Sequence, residues 1–517
     1  MAYIDIIIGS DTWSRVGNLT ILLSLLPITL WIYNIFFHSL AGFDGPFLWR
    51  ASRLPYMRAV WSGHFPYEIQ ALHARYGEVV RVAPNELSFM SPTAWDDIYS
   101  NRDGANPEAF RKSELWHGNP EGGTTSIFVT PDLKAHSRIE RFMDPAFTDR
   151  AVLQQEPIIR DYITTCIKKL RERMSLNGRT TINIVDWLNF TLFDIIGDLC
   201  FGQSFGCLEK CEYEGWMDQM AASIKLHYLS INLRYYPIVN NLLKPLAGFL
   251  IPKEIIKQHM AYRQSATEKL NRRLSPDTVI DRPDIASKLI RSEHPEQRLT
   301  PDEVTLNSML FINAASETTA TALTGAINNL IQNPESLSAL EFEVRGFSSS
   351  SDLTLQALSG LPYLNAVLKE ALRMCNPNPI GHMRITPPDG GIVSGQFVPG
   401  NTMLTIQPVA LSYSPKYFHE PESWRPERWL HEAETNLKSP YYHDHRRGVR
   451  AFGWGPYNCA GEPLGWAWMR LLLATIIWTF DLKKADTPNS SIAWDKQDVF
   501  AIVIKHRLDV ALTERTV

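Results

Sequence analysis

The ten residues FGWGPYNCAG at positions 452–461 form the most informative local pattern in the chain. Their three glycines allow the backbone to approach another group closely. Cys459 stands directly before an apolar pattern that predicts a helix from Gly461 to Phe480. Backbone N–H groups at the start of a helix stabilise a thiolate and lower the pKa of the thiol. With Phe452 seven positions earlier, the pattern favours a thiolate that binds a metal beside a flat cofactor. A buried structural cysteine is the alternative.

Two shorter patterns precede this loop. Glu370 and Arg373 in KEALR, at 369–373, lie three positions apart and therefore share one face of a helix. The segment WRPERW at 424–429 follows, and it places Arg428 among aromatic residues. Taken alone, the first pattern equally describes a solvated helix face with an ion pair.

A long helix is predicted after Thr300. Thr300 is a suitable N-cap, Pro301 suits the first helical position, and Glu303 completes a capping box. No helix breaker follows before Pro334, so the helix would have about 33 residues and a length of about 50 Å. Such a helix must cross the whole molecule, and we expect it to be the central helix of a mostly helical domain.

The middle of this helix carries small and polar residues, AASETT at 314–319. Ala314 and Ala315, followed by Glu317 and Thr318, offer space for a bound diatomic molecule and a short proton relay. Hydroxyl groups in mid-helix also compete for backbone hydrogen bonds and tend to bend the helix. A Ser/Thr-rich face exposed to solvent is the alternative.

The remaining patterns predict a helical middle and a strand-rich C-terminal part. EVVRVAPNELSFM at 78–90 alternates around a Pro-Asn turn and predicts a β-hairpin. Residues 100–130 are rich in turn formers and predict a long loop with one short helix. Residues 150–345 follow helical spacing almost throughout. Short strands are expected after residue 380, and a closing strand pair is expected at 492–512.

Residues 225–255 are apolar, aromatic and interrupted by prolines. One interpretation is a helix pair with a buried loop. The other is a lid that dips into a membrane above an apolar substrate channel. Both interpretations stay open at the level of the sequence.

Residues 19–37 contain no charge, and 19 residues are just long enough for a membrane-spanning helix. A cleaved signal peptide is disfavoured because a basic n-region and a small-residue cleavage site are missing. A buried core helix is the other alternative. Arg50, Arg53 and Arg58 follow the segment, whereas only Arg15 precedes it at a comparable distance, which predicts a cytosolic location for the downstream chain.

The composition agrees with an intracellular globular protein. The 517 residues include 51 basic and 55 acidic ones, and the net charge of −4 offers no footprint for nucleic acid. Six cysteines are too few for a disulfide scaffold. The expected organisation is a short luminal N-terminus at 1–18, a transmembrane anchor at 19–37, a Pro-rich linker at 38–66 and a catalytic domain at 67–517.

In this order and spacing, the three motifs resemble the cytochrome P-450 family. The resemblance covers residues 40–517, and the anchor is similar to that of microsomal members. The stretches at 78–99 and 316–325 are most similar to fungal secondary-metabolite members. The resemblance implies the cytochrome P-450 fold, which is mainly α with a smaller β-rich region.

The resemblance also implies roles for individual residues. Cys459 would be the axial thiolate ligand of the iron of haem b. Glu317 and Thr318 would deliver protons to dioxygen bound there. Further positions expected to contact the haem or to border the oxygen and substrate space are Phe452, Gly453, Tyr457, Gly461, Ala314 and Ala315.

Other residues would have structural or anchoring roles. Glu370 and Arg373 would form a structural pair locked to Arg428. Arg384 aligns with the arginine that holds a haem propionate in the family, through a charge-assisted hydrogen bond.

Two positions depart from the family's pattern. Tyr457 stands where the family usually has a basic residue, and a Tyr hydroxyl can donate a hydrogen bond to a propionate but brings no charge. Glu140, in the early helix AHSRIERF, stands where another basic residue is usual, and it would repel a propionate. Either the register shifts to Arg141, with Arg138 close by, or the haem is held less tightly. His382 replaces a usually apolar residue, and contact with the substrate, contact with the haem edge and plain packing stay open.

The function implied is that of a haem-thiolate monooxygenase that hydroxylates or epoxidises an apolar small molecule in secondary-metabolite biosynthesis. A separate NADPH-cytochrome P-450 reductase would supply electrons, and cytochrome b5 is a second candidate donor. The enzyme would reside in the endoplasmic reticulum membrane with a cytosolic catalytic domain. A haem-thiolate isomerase or peroxide-driven enzyme is one alternative, disfavoured by the Glu317–Thr318 pair. A degenerate member that binds a ligand without turnover is another.

Overall fold

The computed structural model describes residues 25–100, 110–118, 123–174, 178–215, 217, 220–243, 245, 252–275, 282–290 and 299–515. Within these ranges the fold is mainly helical with small sheets. The helices are α1 (Phe47–Ala51), α2 (Leu54–Trp61), α3 (Phe65–Tyr76), α4 (Ala94–Tyr99), α5 (Glu114–His117), α6 (Leu133–Phe147), α7 (Asp149–Glu172), α8 (Ile184–Phe201), α9 (Cys207–Lys210), α10 (Met220–Leu233), α11 (Pro237–Leu243), α12 (Lys253–Leu274), α13 (Ile285–Ile290), α14 (Pro301–Gln332), α15 (Pro334–Val344), α16 (Leu355–Ser359), α17 (Pro362–Met374), α18 (Pro408–Ser412), α19 (His431–Thr435) and α20 (Glu462–Thr479).

The strands form small sheets beside the helical body. They are β1 (Val79–Ala83), β2 (Glu86–Phe89), β3 (Arg111–Lys112), β4 (Arg179–Asn183), β5 (Arg384–Ile385), β6 (Gly391–Val393), β7 (Gln396–Val398), β8 (Met403–Ile406), β9 (Phe480–Lys484), β10 (Asp498–Phe500), β11 (Ile502–Ile504) and β12 (Asp509–Glu514). One sheet has the order β1-β2-β8-β5-β3 and another the order β4-β12-β9, while β6-β7 and β10-β11 are hairpins. Only the β2–β8 pairing is parallel among the described strands.

Helix α14 begins with the capping box expected from the sequence. The hydroxyl oxygen of Thr300 accepts from the backbone N–H of Glu303, and the Glu303 carboxylate accepts from the backbone N–H of Thr300 at 2.8 Å. The helix then runs without a break for 32 residues. It packs against α8, α12, α15, α17 and α20, so its predicted position at the centre of the helical body is confirmed.

Several other local predictions are confirmed. Strands β1 and β2 form the hairpin expected at 78–90, and α20 is the final long helix. Helix α5 is the short helix expected within 100–130, although 101–109 and 119–122 lie outside the described residues. The closing region differs in one respect: β10 and β11 form a hairpin, whereas β12 pairs with β4 and β9.

The expected membrane anchor is only partly described, because residues 1–24 lie outside the described ranges. Residues 25–32 are helical and continue as a π-helix at Tyr33–Phe37. No helix among the described residues has both the length and the apolar character needed to cross a membrane. Large apolar side chains of this segment are nevertheless exposed, with Phe36 65% and Phe37 72% accessible.

The segment expected to be a linker, 38–66, packs onto the body of the protein. Leu40, Tyr56 and Val60 are buried, and α1 contacts β1. Gly45 approaches the backbone of β1 so closely that a Cβ there would lie 2.3 Å from the carbonyl oxygen of Arg81. Part of this stretch therefore serves tertiary packing, which composition alone does not reveal.

Residues 225–255 contain the helix pair of the first interpretation, α10 and α11. The second helix is exposed, with Ile238 78% and Leu242 68% accessible, while residues 244 and 246–251 lie outside the described residues. Within the described residues, the surface of the helix pair that α11 forms is therefore exposed.

Candidate functional site

A large cavity lies between the middle of α14 and the loop that precedes α20. It contains about 1410 Å³ of empty space, part of which opens to solvent. Ala314, Ala315 and Thr318 line it from the side of α14, while Phe452 and Cys459 line it from the loop. The structure thus brings two of the three sequence motifs to facing walls of one cavity.

The conformation of the Cys459 loop depends on its glycines. Gly453 and Gly455 have φ of +80° and +76°, a region that L side chains rarely adopt. A Cβ on Gly455 would also lie 1.8 Å from the carbonyl oxygen of Tyr99. The backbone N–H of Cys459 donates to the carbonyl of Phe452 at 2.8 Å, which closes the loop directly before α20. The loop therefore presents the thiol in a fixed position.

The Cys459 thiol faces the cavity and is exposed there. Desolvation raises the pKa of this thiol to about 11 in the protein alone. The backbone hydrogen bond at Gly461, at the start of α20, acts to lower this pKa, but the desolvation outweighs it. A coordinated metal cation reverses this balance, since its charge stabilises the thiolate.

Glu317 and Thr318 are neighbours in α14 but differ in their surroundings. The Thr318 hydroxyl lines the cavity and donates to the carbonyl of Ala314 at 2.6 Å. The Glu317 carboxylate lies outside the cavity lining and is paired with the ammonium group of Lys505. The helix is not broken at these residues, since α14 runs without interruption from Pro301 to Gln332.

Glu370, Arg373 and Arg428 meet in one buried network. The Glu370 carboxylate accepts from Arg373 at 2.7 and 2.9 Å and from Arg428 Nε at 3.1 Å. It also accepts from the indole N–H of Trp429 at 2.8 Å, and Arg428 pairs in addition with Asp444. Burial acts to raise the pKa of Glu370, but Arg373 and then Arg428 outweigh it, so that the pKa is lowered. The network joins α17 to the chain that leads into the Cys459 loop.

The remaining predicted residues meet at one end of the cavity. Tyr457 and His382 line it, and the Arg384 guanidinium carbon lies 4.9 Å from the ring centre of Tyr457. His382 Nε2 lies 2.9 Å from the side-chain nitrogen of Asn378, a donor, so Nε2 accepts. Burial and then Arg384 and Lys112 lower the pKa of His382 to about 3, so this histidine is neutral at physiological pH.

Of the two alternatives left open for Glu140, the geometry gives no support to a register shift to Arg141. Arg141 is exposed and does not line the cavity, and Arg138 is paired with Glu303. Glu140 lies 3.6 Å from His136 Nδ1. Neither arginine of this helix therefore supplies a charge to the cavity.

Comparison with known proteins identifies the family to which this geometry belongs. The profile of the cytochrome P-450 family matches residues 46–505. The chain is a member of the cytochrome P-450 family. A cytochrome P-450 monooxygenase (lcsI) of Purpureocillium lilacinum is 34% identical over 484 residues, which cover 93% of this chain and 90% of that protein.

Two further relatives show a comparable extent of similarity. A cytochrome P-450 monooxygenase (astA) of Talaromyces wortmannii is 36% identical over 489 residues, 94% of this chain and 95% of that protein. A trichothecene C-4 hydroxylase of Trichoderma arundinaceum is 38% identical over 476 residues, 90% and 91% of the two chains. The protein is thus a haem-thiolate monooxygenase similar to fungal enzymes of secondary metabolism.

The residues of the cavity fit the haem of this family. Cys459 presents an exposed thiol to the cavity, and Phe452 lines the cavity beside it. Small Ala314 and Ala315 leave space on the opposite wall. We therefore assign Cys459 as the residue that would hold the iron.

Three residues in or around the site escaped the sequence analysis: Lys112, Lys505 and Asp444. Each lies in a loop or a short strand, and each reaches its partners across the fold. No local pattern marks such residues, since their neighbours in sequence are not their neighbours in space.

Proposed function

We propose that this cytochrome P-450 hydroxylates or epoxidises an apolar small molecule in a biosynthetic pathway of secondary metabolism. The observation that carries the proposal is the cavity between Thr318 and Cys459, which is lined mainly by apolar side chains. They include Ile127, Phe128, Met143, Phe147, Ile196 and Phe311. Such walls favour an apolar substrate, because water leaves them readily. The hydroxylase among the relatives supports the reaction class.

The haem would supply the activation of dioxygen, and the protein would supply orientation and protons. Ala314 and Ala315 leave room above the position that Cys459 defines. We expect the Thr318 hydroxyl, which lines the cavity, to donate a proton into it. We expect Glu317, one residue earlier, to be the acid that returns a proton to Thr318.

Electrons would come from a separate NADPH-cytochrome P-450 reductase, with cytochrome b5 as a second candidate donor. Members of the family generally use such redox partners. We expect the donor to dock on the side of the Cys459 loop, since this wall lies closest to the iron ligand.

We further propose that the chain is anchored in the endoplasmic reticulum membrane by residues 19–37, with its catalytic domain in the cytosol. Two neighbouring surfaces support this proposal. The first surface is formed by residues 25–37 and α1, which expose Leu26, Phe37 and Phe47. The second is the exposed apolar face of α11. Helix α10 contacts both α11 and α2, and so connects the two surfaces. Flotation of the full chain with phosphatidylcholine vesicles tests it. A chain with Ile238→Asp and Leu242→Asp should bind more weakly than the wild type.

The reaction is tested by reconstitution with a fungal NADPH-cytochrome P-450 reductase and a metabolite extract. We expect product that depends on NADPH and O₂, together with a red-shifted thiolate band in the reduced–CO spectrum. A wild-type protein without that band would contradict the monooxygenase function. Rearrangement without NADPH would favour the isomerase alternative, and ligand binding without turnover the degenerate one. Cys459→Ser is the negative control.

A further inference from the structure

Two polar side chains, those of Asn378 and His382, face the cavity from the loop between α17 and β5. Both residues are half-buried, and the walls around them are mainly apolar. The two side chains are in contact, because Asn378 Nδ2 donates to His382 Nε2 at 2.9 Å. The histidine stands where the family usually has an apolar residue, so this polar pair is a feature of this chain.

The backbone of the loop is held in place by contacts with other elements. The hydroxyl of Tyr99 donates to the backbone carbonyl of His382 at 2.6 Å. Gly381 has a φ of +72°, and a Cβ at this position would clash with the carbonyl oxygen of Ile406 in β8. The loop therefore presents the imidazole to the cavity in a fixed position, as a group that recognises a ligand requires.

The contact with Asn378 determines which nitrogen of His382 carries the proton. Nε2 accepts from the amide, so in the neutral ring the proton lies on Nδ1, which becomes a donor. Within the described part of the chain, Nδ1 has no hydrogen-bond partner. Once an apolar ligand has displaced water from the cavity, this donor costs free energy unless the ligand itself carries an acceptor.

The charge state of His382 decides which acceptor fits. Burial and then Arg384 and Lys112 lower the pKa of this histidine to about 3, so the ring neither carries a charge nor exchanges a proton at physiological pH. The ring of Phe128, which also lines the cavity, has its centre 6.4 Å from that of His382. A single neutral donor beside apolar walls matches a neutral oxygen on an apolar skeleton.

We propose that His382 Nδ1 donates to a carbonyl or hydroxyl oxygen of the substrate, and that Asn378 positions the imidazole for this bond. The substrate is then an apolar molecule that already carries a neutral oxygen, and a substrate without that oxygen leaves a donor unpaired. The inference rests on the proposed function, because it specifies the class of substrate that the same cavity takes.

The proposal is tested by equilibrium dialysis of the ferric holoenzyme against small bicyclic probes, without reductase or NADPH. 2-Decalone carries the oxygen, whereas 2-methylenedecalin has nearly the same shape without an acceptor. His382→Phe keeps a ring and removes the donor, so we expect it to weaken the binding of 2-decalone about tenfold and not to weaken that of 2-methylenedecalin. His443→Phe is the matched control, because His443 is exposed and does not line the cavity.

A second variant separates hydrogen bonding from packing. The carboxylate in Asn378→Asp can only accept, so at pH 8 the proton of the neutral imidazole would move to Nε2, and Nδ1 would become an acceptor. A ketone then loses its donor, whereas a hydroxyl group can still donate to Nδ1. We expect Asn378→Asp to weaken the binding of 2-decalone about tenfold and to retain that of 2-decalol. Loss of packing would weaken both probes equally.

Three results would overturn the proposal. The first is a wild-type enzyme that does not bind 2-decalone, or binds it as well as His382→Phe does. The second is an equal loss of 2-decalone and 2-methylenedecalin in His382→Phe, which would assign the residue to packing. The third is faster loss of haem to apomyoglobin in His382→Phe with unchanged binding of 2-decalone, which would assign the residue to the haem edge.

The failure of this proposal differs from a failure of the proposed function. Dialysis measures binding in the absence of electrons, whereas the monooxygenase function is measured as turnover with the reductase. Binding of the probes as expected without any turnover would contradict the proposed function alone. Turnover without the dependence on His382 would contradict the recognition of the oxygen alone.

Discussion

The ammonium group of Lys505 is ion-paired with the carboxylate of Glu317, and this contact ties the β10–β11 hairpin to the middle of α14. Both side chains are largely buried, with 3% and 13% of their surface accessible. The contact holds the carboxylate outside the cavity, one residue from the Thr318 hydroxyl that faces it. The proposed proton source is thus controlled by a residue 188 positions away in the chain.

Removal of this cation should change the coupling of NADPH to product. Lys505→Met takes away the ion pair that holds the Glu317 carboxylate outside the cavity. We expect product per NADPH to fall, because the acid then has no fixed position beside the Thr318 hydroxyl. Lys505→Arg should follow the wild type. Lys496→Met is the control, since its side chain is 74% exposed. Unchanged coupling in Lys505→Met would remove Glu317 from the proton path.

The hydroxyl of Thr318 should govern the coupling of NADPH to product. Thr318→Ala removes this hydroxyl from the cavity wall and so interrupts the proposed proton relay. We therefore expect product per NADPH to fall about tenfold while the formation of hydrogen peroxide rises. Thr318→Ser keeps a hydroxyl and should retain most of the coupling. Equal coupling in Thr318→Ala and the wild type would contradict the relay.

The buried network of Glu370 should be essential for stability. Glu370→Gln leaves Arg373 and Arg428 with a neutral partner in a site that has no access to water. Breaking such a buried pair costs about 3–5 kcal/mol, which should appear in the free energy of unfolding and as incomplete haem incorporation. Glu68→Gln breaks the exposed pair with Arg58, and it should cost at most about 1 kcal/mol. Similar losses in both variants would show that burial is not decisive.

Acid should destabilise the protein in part through His73, which does not line the cavity. Nδ1 of His73 donates to the carbonyl of Gly77 at 2.8 Å, and Nε2 accepts from the Ser88 hydroxyl at 2.7 Å. Burial lowers the pKa of His73 from 6.5 to about 4, although the bond to Gly77 opposes this change. The unfolded chain therefore binds this proton below pH 6.5 and the folded chain only near pH 4, so the stability is present above pH 6.5 and lost as the pH falls.

The measurement is the free energy of unfolding at pH 7 and pH 5. Between these values the wild type should lose about 2 kcal/mol more than His73→Gln, because the histidine adds a proton only on unfolding. His443→Gln, at an exposed position, should behave as the wild type does. Equal pH dependence of the wild type and His73→Gln would exclude His73 as a source of acid lability.

The elements predicted correctly from the sequence are those with local causes. The capping box at Thr300 and the absence of a breaker before Pro334 suffice for α14, because backbone hydrogen bonds within a helix join residues four apart. The hairpin at 78–90 likewise depends on its own alternation and turn. Two of the glycines before Cys459 are required by the local backbone, since Gly453 and Gly455 have positive φ and a side chain on Gly455 would clash with the Tyr99 carbonyl. These signals also carry the family resemblance, and with it the assignment of Cys459.

The tertiary structure alone decided where the distant charges meet. Lys112 opposes Arg384 only because β3 and β5 pair in that register, and Lys505 reaches Glu317 only because the C-terminal hairpin packs on α14. The sequence suggested a deficit of positive charge at Tyr457 and Glu140, and the fold brings the ammonium group of Lys112 over the ring of Tyr457. Such contacts follow from packing between segments far apart in the chain, so their partners cannot be read from local patterns. The physical reason is that burial and charge depend on all neighbours in space, whereas caps and turns depend on neighbours in sequence.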